Sequence, residues 1–334
     1  MNVPADTDSR ATIVLRKLKW MAVGILAPEY IVALAVSDWC GARLICKELW
    51  PSKAGRELAH GFLVLMGGIA IETTDQNRIS LRADHFVQAV RKGIIEVPQL
   101  ESKEIGDRSK ADWVSKSVAC VQIGWLLAQV IGRTAQHVSV TPLEMFSLGI
   151  VVCAIATYSF WWKKPFDVQT PVVINTELDL SALKSKLAAE MMDSSIQNLE
   201  ARIGLMDNGT VDTLGNTRVL IAVTTLTVSI LFGLCHVAAW GFAFPTFWER
   251  LLWRVSAVAC VALPVVILGL IYIEDYLGLL KKWQKKWIAL LYDTLFAKYI
   301  LVRVFLLVEV FISLRSVPPD VYKSVDWAAY IPHI

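Results

Sequence analysis

Ionisable side chains that fall inside apolar stretches carry the strongest chemical signal in this chain. Glu29 lies in a long apolar stretch and directly follows Pro28, so its helix is expected to break there and line a cavity. Glu72 ends a second stretch, Glu144 opens a fourth, and Asp293, Arg303 and Glu309 lie along the last. Asp38, Gln122, Gln129, His236, Glu274 and Asp275 complete the polar set. Charged groups in lipid are costly and usually functional. A carboxyl held out of water resists ionisation, so it can stay neutral and hand a proton to a substrate oxygen. Glu29, Glu72, Glu144 and Glu309 are therefore the candidate acids or bases, with Arg303 as the partner that fixes or tunes one of them. Solvation near an interface would by itself account for Glu72, Glu274 and Asp275. A structural pair between Arg303 and a glutamate on another helix is as consistent with the sequence as a catalytic role. His236 alone reads first as a hydrogen-bonded core histidine.

Seven apolar blocks must position these groups. They run over residues 20–45, 58–71, 114–132, 142–162, 219–244, 251–273 and 287–314. Several approach the ~20 residues needed to cross a bilayer as a helix. The second is short, and Gly61, Gly67 and Gly68 give it a smooth face for close packing. Pro142 suits the first turn of the fourth helix, and Pro264 predicts a kink in the sixth. The expected fold class is all-α: an integral membrane bundle of about seven transmembrane helices with two amphipathic cytosolic helices. Those two read from Phe86, Val87, Val90, Ile94 and Ile95, and from Leu183, Leu187, Met191, Ile196, Leu199 and Ile203. Residues 1–19 form a cytosolic leader, 20–314 the transmembrane domain with cytosolic loops 73–113 and 163–218, and 315–334 a lumenal tail.

Composition agrees with that class. The 334 residues are 55% hydrophobic and 19% charged, and the mean hydropathy is +0.50, so apolar surface exceeds what one soluble core needs. Roughly 20 Lys and Arg fall on the N-terminal side of the stack against about 7 on the other, which places the N-terminus in the cytosol. Trp20, Trp39, Trp113, Trp161, Trp162, Trp248, Trp283 and Trp287 lie near block ends, as an interfacial belt requires. The net charge of +3 points to no nucleic-acid partner. Six cysteines form no CxxC pair or metal-type cluster. A P-loop, a dinucleotide fingerprint, HExxH, an aspartate-rich magnesium box and an arginine ladder are all missing from the sequence. The sequon Asn208-Gly209-Thr210 would lie in the cytosol, where it cannot be glycosylated.

Several stretches resemble a fungal family of multi-pass membrane proteins. They are Gly61-Phe62 with Met66-Gly67-Gly68, Lys110-Ala111-Asp112, Gln122 to Trp125 with Gln129 and Arg133, and Thr141-Pro142-Leu143-Glu144. Further on come Tyr158, the run Trp161-Trp162-Lys163-Lys164-Pro165-Phe166-Asp167-Val168, Val308 to Arg315, Val325-Asp326-Trp327, and the terminal Ile331-Pro332-His333-Ile334. That family is in turn similar to the membrane-bound terpene cyclases of fungal meroterpenoid pathways, of the ascofuranone type.

The resemblance implies cyclisation of an epoxidised farnesyl chain on an aromatic polyketide, with neither a metal nor a redox cofactor. Its partners would be the lipid bilayer and a hydrophobic prenylated small molecule, and its membrane the endoplasmic reticulum. The residues fit that chemistry: an acid opens the epoxide, and aromatic faces stabilise the cation. Trp125, Tyr158, Trp161, Trp162 and Trp240 are candidate walls, and Asp112 and Asp167 candidates for closing the cytosolic mouth. A transporter or receptor-like protein, or a membrane scaffold, remains the alternative that the residues allow.

Overall fold

Proline sets the first feature of the fold. Helix α1 (Arg10–Leu26) stops one residue before Pro28, and helix α2 (Pro28–Leu49) starts on it. Proline has no N–H to continue the α1 ladder, and its fixed φ suits a first helical turn. The two helices meet at 111°, so the first apolar block is a bent pair. The computed structural model describes residues 9–50, 58–81, 83–96, 112–166, 168, 170–191, 211–277 and 282–327. Asp167, Asn208, residues 192–205 of the second amphipathic segment and the terminal residues 331–334 lie outside the described residues.

The second block is not a span. Helix α3 (Leu58–Leu65) has eight residues, about 12 Å, against a hydrocarbon core of about 30 Å. Gly61 lets it approach α2: a Cβ there would lie 2.2 Å from the carbonyl oxygen of Ala42. Gly67, at φ +70°, turns the chain out of the helix into strand β1 (Ile69–Glu72). β1 pairs antiparallel with β2 (Arg78–Ser80), placing Glu72 opposite Arg78, and parallel with β3 (Val172–Asn175), placing Ile71 opposite Ile174. This three-stranded sheet, ordered β2-β1-β3, corrects the all-α expectation. Residues 69–72 are apolar enough to read as the end of a membrane helix, but Ile69 and Ile71 alternate with Ala70 and Glu72 at the strand period.

Two compact units divide the chain. The first (Met1–Leu18, Leu34–Lys116, Tyr158–Ile221) contains the sheet and helices α4 (Ala83–Arg91) and α7 (Leu180–Met191). Phe86 and Val87 of α4, and Leu183 and Leu187 of α7, are buried with Ile45, Val64, Ile69 and Ile71 in one apolar cluster. Their apolar faces thus cover a small core.

The second unit (Lys19–Ala33, Ser117–Thr157, Ala222–Ile334) is helical among the described residues. It takes most of α5 (Asp112–Ala135), α6 (Pro142–Trp161), α8 (Val211–Ala238), α9 (Phe247–Leu277) and α10 (Lys282–Ile312). Short 3-10 turns follow at Ser313–Ser316 and Pro319–Tyr322. α9 continues through Pro264 as one helix and packs along α10. Residues 113–135, 142–161, 217–241 and 247–271 are long and apolar enough to cross a membrane; the bent α1–α2 pair makes a fifth if it is one span. Val118, Val121 and Ile131 of α5, and Val255, Val258 and Val265 of α9, are exposed, as lipid-facing surface must be.

Candidate functional site

Breaking the chain at Ala27 leaves the last carbonyls of α1 without the amides that a continuing helix would supply. Arg303 of α10 takes that place. Its Nε donates to the carbonyl of Leu26 at 2.8 Å and its Nη2 to that of Ile25 at 3.4 Å. A guanidinium at a helix C-terminus also meets the negative end of the helix dipole. Glu29 lies in the first turn of α2, where the dipole favours an acid. Its Oε2 is 3.8 Å from Arg303 Nη2, an ion-pair separation longer than a hydrogen bond. Its Oε1 accepts the Tyr299 hydroxyl at 2.5 Å. Arg303 is 0% exposed, Glu29 6% and Tyr299 5%. Glu29 Oε2 and Arg303 Nη1 are both buried without a hydrogen-bond partner among the described residues.

An aromatic wall adjoins this junction. The Arg303 guanidinium lies 3.6 Å from the ring centre of Phe232 and 5.9 Å from that of Phe146. Phe232 stacks on His236 at 4.6 Å, Phe146 meets His236 edge-on at 5.4 Å, and Trp253 lies 5.8 Å beyond. Gly149 makes the fit possible, since a Cβ there would come within 3.0 Å of the Phe232 ring. Trp253 Nε1 donates to the His236 carbonyl at 3.2 Å. Phe232, His236 and Trp253 are all 0% exposed.

The other sequence candidates have separate surroundings. Glu144 belongs to an N-terminal cap of α6: its Oε2 accepts from Thr141 N at 2.7 Å, Thr141 Oγ1 accepts from Glu144 N at 3.2 Å, and Arg133 Nε lies 3.5 Å from Oε1. Arg133 also donates to the carbonyls of Ser139 and Val321 at 2.7 and 2.8 Å, tying down the chain after α10. Glu309 is 3% exposed and its Oε1 has no hydrogen-bond partner among the described residues. Glu249 and Arg315, an ion pair, act on it electrostatically. Glu72 is half-buried on the sheet and paired to Arg78 at 3.1 Å, which makes it a cross-strand partner and corrects its reading as an acid ending a span.

Of the aromatic candidates, Trp125 is 58% exposed and lies 5.8 Å from Trp327. Trp240 holds Arg254 5.0 Å over its ring. Trp161 faces Lys164, whose ammonium also pairs with Asp38 at 2.6 Å. Trp162 is exposed and its carbonyl accepts from Lys116 at 2.7 Å. Tyr158 is partly buried, and Asp112 heads α5. Trp125 and Trp162 thus face outward, and Trp161 and Trp240 face protein cations. Phe146, Phe232, Trp253 and Tyr299 were missed. For Tyr299 the signal lies in helical spacing: Tyr299, Arg303, Leu306 and Val310 form one buried stripe.

A protein built mainly of helices, several of them long, apolar and outward-facing, is an integral membrane protein. This chain belongs to DUF8562, a family of unknown function, which matches residues 1–203 and 188–334. No curated protein and no solved structure matches it.

Proposed function

We propose that the protein is a membrane-bound terpene cyclase that protonates the epoxide of a prenylated aromatic substrate and cyclises the chain. The observation that carries this reading is Glu29 Oε2, a buried carboxyl oxygen with no hydrogen-bond partner among the described residues. Tyr299 holds the other oxygen, and Arg303 spends two of its donors on helix-end carbonyls. In this reading Oε2 is the atom that meets the substrate oxygen. Protonation opens the C–O bond, and the neighbouring alkene attacks the resulting cation. Gain and loss of one proton make the product an isomer of the substrate. The stretch Trp161 to Val168 resembles a fungal family of multi-pass membrane proteins that is in turn similar to membrane-bound terpene cyclases, which supports a place in secondary metabolism and in the endoplasmic reticulum.

The same reading places the N-terminus in the cytosol and counts α10 as a further crossing. Arg303 and Glu309 of α10 turn inward, while Phe296, Leu301, Val304, Val308 and Phe311 face out. Protease accessibility of an N-terminal tag on sealed microsomes tests the orientation: a protected tag would remove it.

The function is tested by expressing the protein with a farnesylated aromatic epoxide and comparing wild type with Glu29→Gln. Cyclised product from the first and its loss in the second are expected; equal product from both refutes the acid. A non-enzymatic membrane protein is the second reading. It is favoured by the ion pairing of Glu29 and Glu144 with Arg303 and Arg133, and it predicts no product from either.

A further inference from the structure

Cyclisation that starts with a proton given must end with a proton taken, and the acid junction leaves that second role open. We infer that His236 is the base that closes the reaction; this rests on the cyclase reading above. His236 lies one helical turn after Phe232 on α8, the ring on which the Arg303 guanidinium rests. Its Nδ1 is 2.9 Å from the Phe232 carbonyl oxygen. A carbonyl only accepts, so Nδ1 carries the hydrogen and Nε2 the lone pair. Nε2 is buried and has no hydrogen-bond partner among the described residues. A histidine kept only for packing would leave a buried acceptor unmet at a cost that structures normally avoid. Here the ring is instead fixed by its Nδ1 bond and lies among the rings of Phe146, Phe232 and Trp253.

Those rings are what a late carbocation requires. Phe146, Phe232 and Trp253 all contact the imidazole, and their faces attract positive charge without a nucleophile that would trap it. The step balances. Glu29 Oε2–H gives its proton to the epoxide oxygen, the C–O bond breaks, and the oxygen becomes a hydroxyl. Alkene electrons form the ring bond and move the cation along the chain. A C–H beside the final cation yields its proton to His236 Nε2, and its electron pair becomes the new C=C. The proton returns from imidazolium to carboxylate through water when the product leaves. The substrate must come from an epoxidation of a prenyl chain, because the site opens an epoxide and does not make one.

Two variants test the role in the full-length protein in nanodiscs with the farnesylated aromatic epoxide as probe. His236→Asn keeps an amide donor near the Nδ1 position and has no basic nitrogen. His236→Gln places an amide near the Nε2 position, again without basicity. Both are expected to consume epoxide while forming roughly ten-fold or more less of the native alkene, the remainder appearing as isomeric alkenes or a water-quenched alcohol. Native product ratio and rate in both variants overturn the His236 assignment and leave the cyclase intact. Loss of epoxide consumption in both, or failure of both to elute as folded protein, assigns His236 to structural support and overturns it too. An inactive wild type overturns the cyclase reading and this inference together.

Discussion

Tyr299 and Glu29 stand 270 positions apart and share a hydrogen bond, the phenol donating to Oε1 at 2.5 Å. With Arg303 one turn further along α10, this contact fastens α10 to the point where Pro28 interrupts the first apolar block. The break creates the need, since free carbonyls and a carboxyl at a helix junction in an apolar setting each require a partner. α10 answers with one phenol and one guanidinium on the same stripe. The junction is thus a structural solution that also leaves one carboxyl oxygen without a hydrogen bond among the described residues.

Glu29→Gln and Tyr299→Phe separate those two roles. Glutamine keeps the shape of Glu29 and an acceptor for the phenol, but it has no acidic proton. Product formation is expected to fall by about 100-fold or more, the usual scale for loss of a general acid. Phenylalanine at 299 leaves the carboxyl in place and removes its orienting bond, so a smaller fall is expected. Single-turnover product analysis checks the order; a Tyr299→Phe loss that exceeds that of Glu29→Gln would move the acid to the phenol.

Arg303 makes the stability prediction. Arg303→Met strips the Leu26 and Ile25 carbonyls of their donor and leaves Glu29 without its cation. Breaking a buried pair from one side costs about 3–5 kcal/mol, seen as a large drop in thermal unfolding temperature in detergent. Lysine cannot reproduce the planar fork that reaches two carbonyls, so Arg303→Lys should fall between wild type and Met. Adding Glu29→Gln to Arg303→Met should restore part of the loss, because the two groups are coupled. Additive losses in that cycle would show that the pair contributes nothing of its own.

Much of this architecture is written in the chain, and the exceptions have physical causes. The four long apolar helices follow from block length alone. Pro28 marked the break, and Arg303 declared its need for a carboxylate or carbonyl; it has both. Thr141 to Glu144 carries the S/T-x-x-E spacing of a capping box, and the structure forms one. What failed was the reading of short apolar runs. Leu58 to Ile71 looks like a span by composition, yet it divides into a helix and a strand at Gly67, because its partners are the α4 and α7 faces, far away in sequence. The aromatic cluster around His236 was hard to read for a related reason. Tryptophan content drew notice to Trp125, Trp161 and Trp162, whereas phenylalanines and one histidine met at the site through the helical register of separate helices.

Glu72 offers a control within the first unit. Its side chain is 29% exposed and that of Arg78 55%, so the pair is solvent-screened and worth about 1 kcal/mol at most. Glu72→Gln should lower stability by no more than that and leave product formation at the wild-type level, measured beside Glu29→Gln. A fall comparable to that of Glu29→Gln would show that the acid had been assigned to the wrong carboxyl.

The chain that follows α10 should loosen in acid. Asp320 Oδ2 accepts from the Ser139 backbone amide at 2.9 Å, and hydrogen bonds from Ser139, the side chain first, hold the Asp320 carboxyl below the usual carboxylate range. A carboxyl lowered in the folded state contributes stability that is fully present above its ordinary value, about 4, and is lost as pH falls through the lowered one. Arg133 stays charged throughout, so its bonds to the Val321 and Lys323 carbonyls persist, as does the two-way pairing of Gln136 with the Asp326 backbone. The expected result is partial release: hydrogen exchange in Val317–Trp327 rises below about pH 4 and stays below that of a fully detached segment. Asp320→Asn should raise exchange there already at neutral pH and flatten the acid response. If wild type and Asp320→Asn loosen alike as pH falls, some other carboxyl governs the segment.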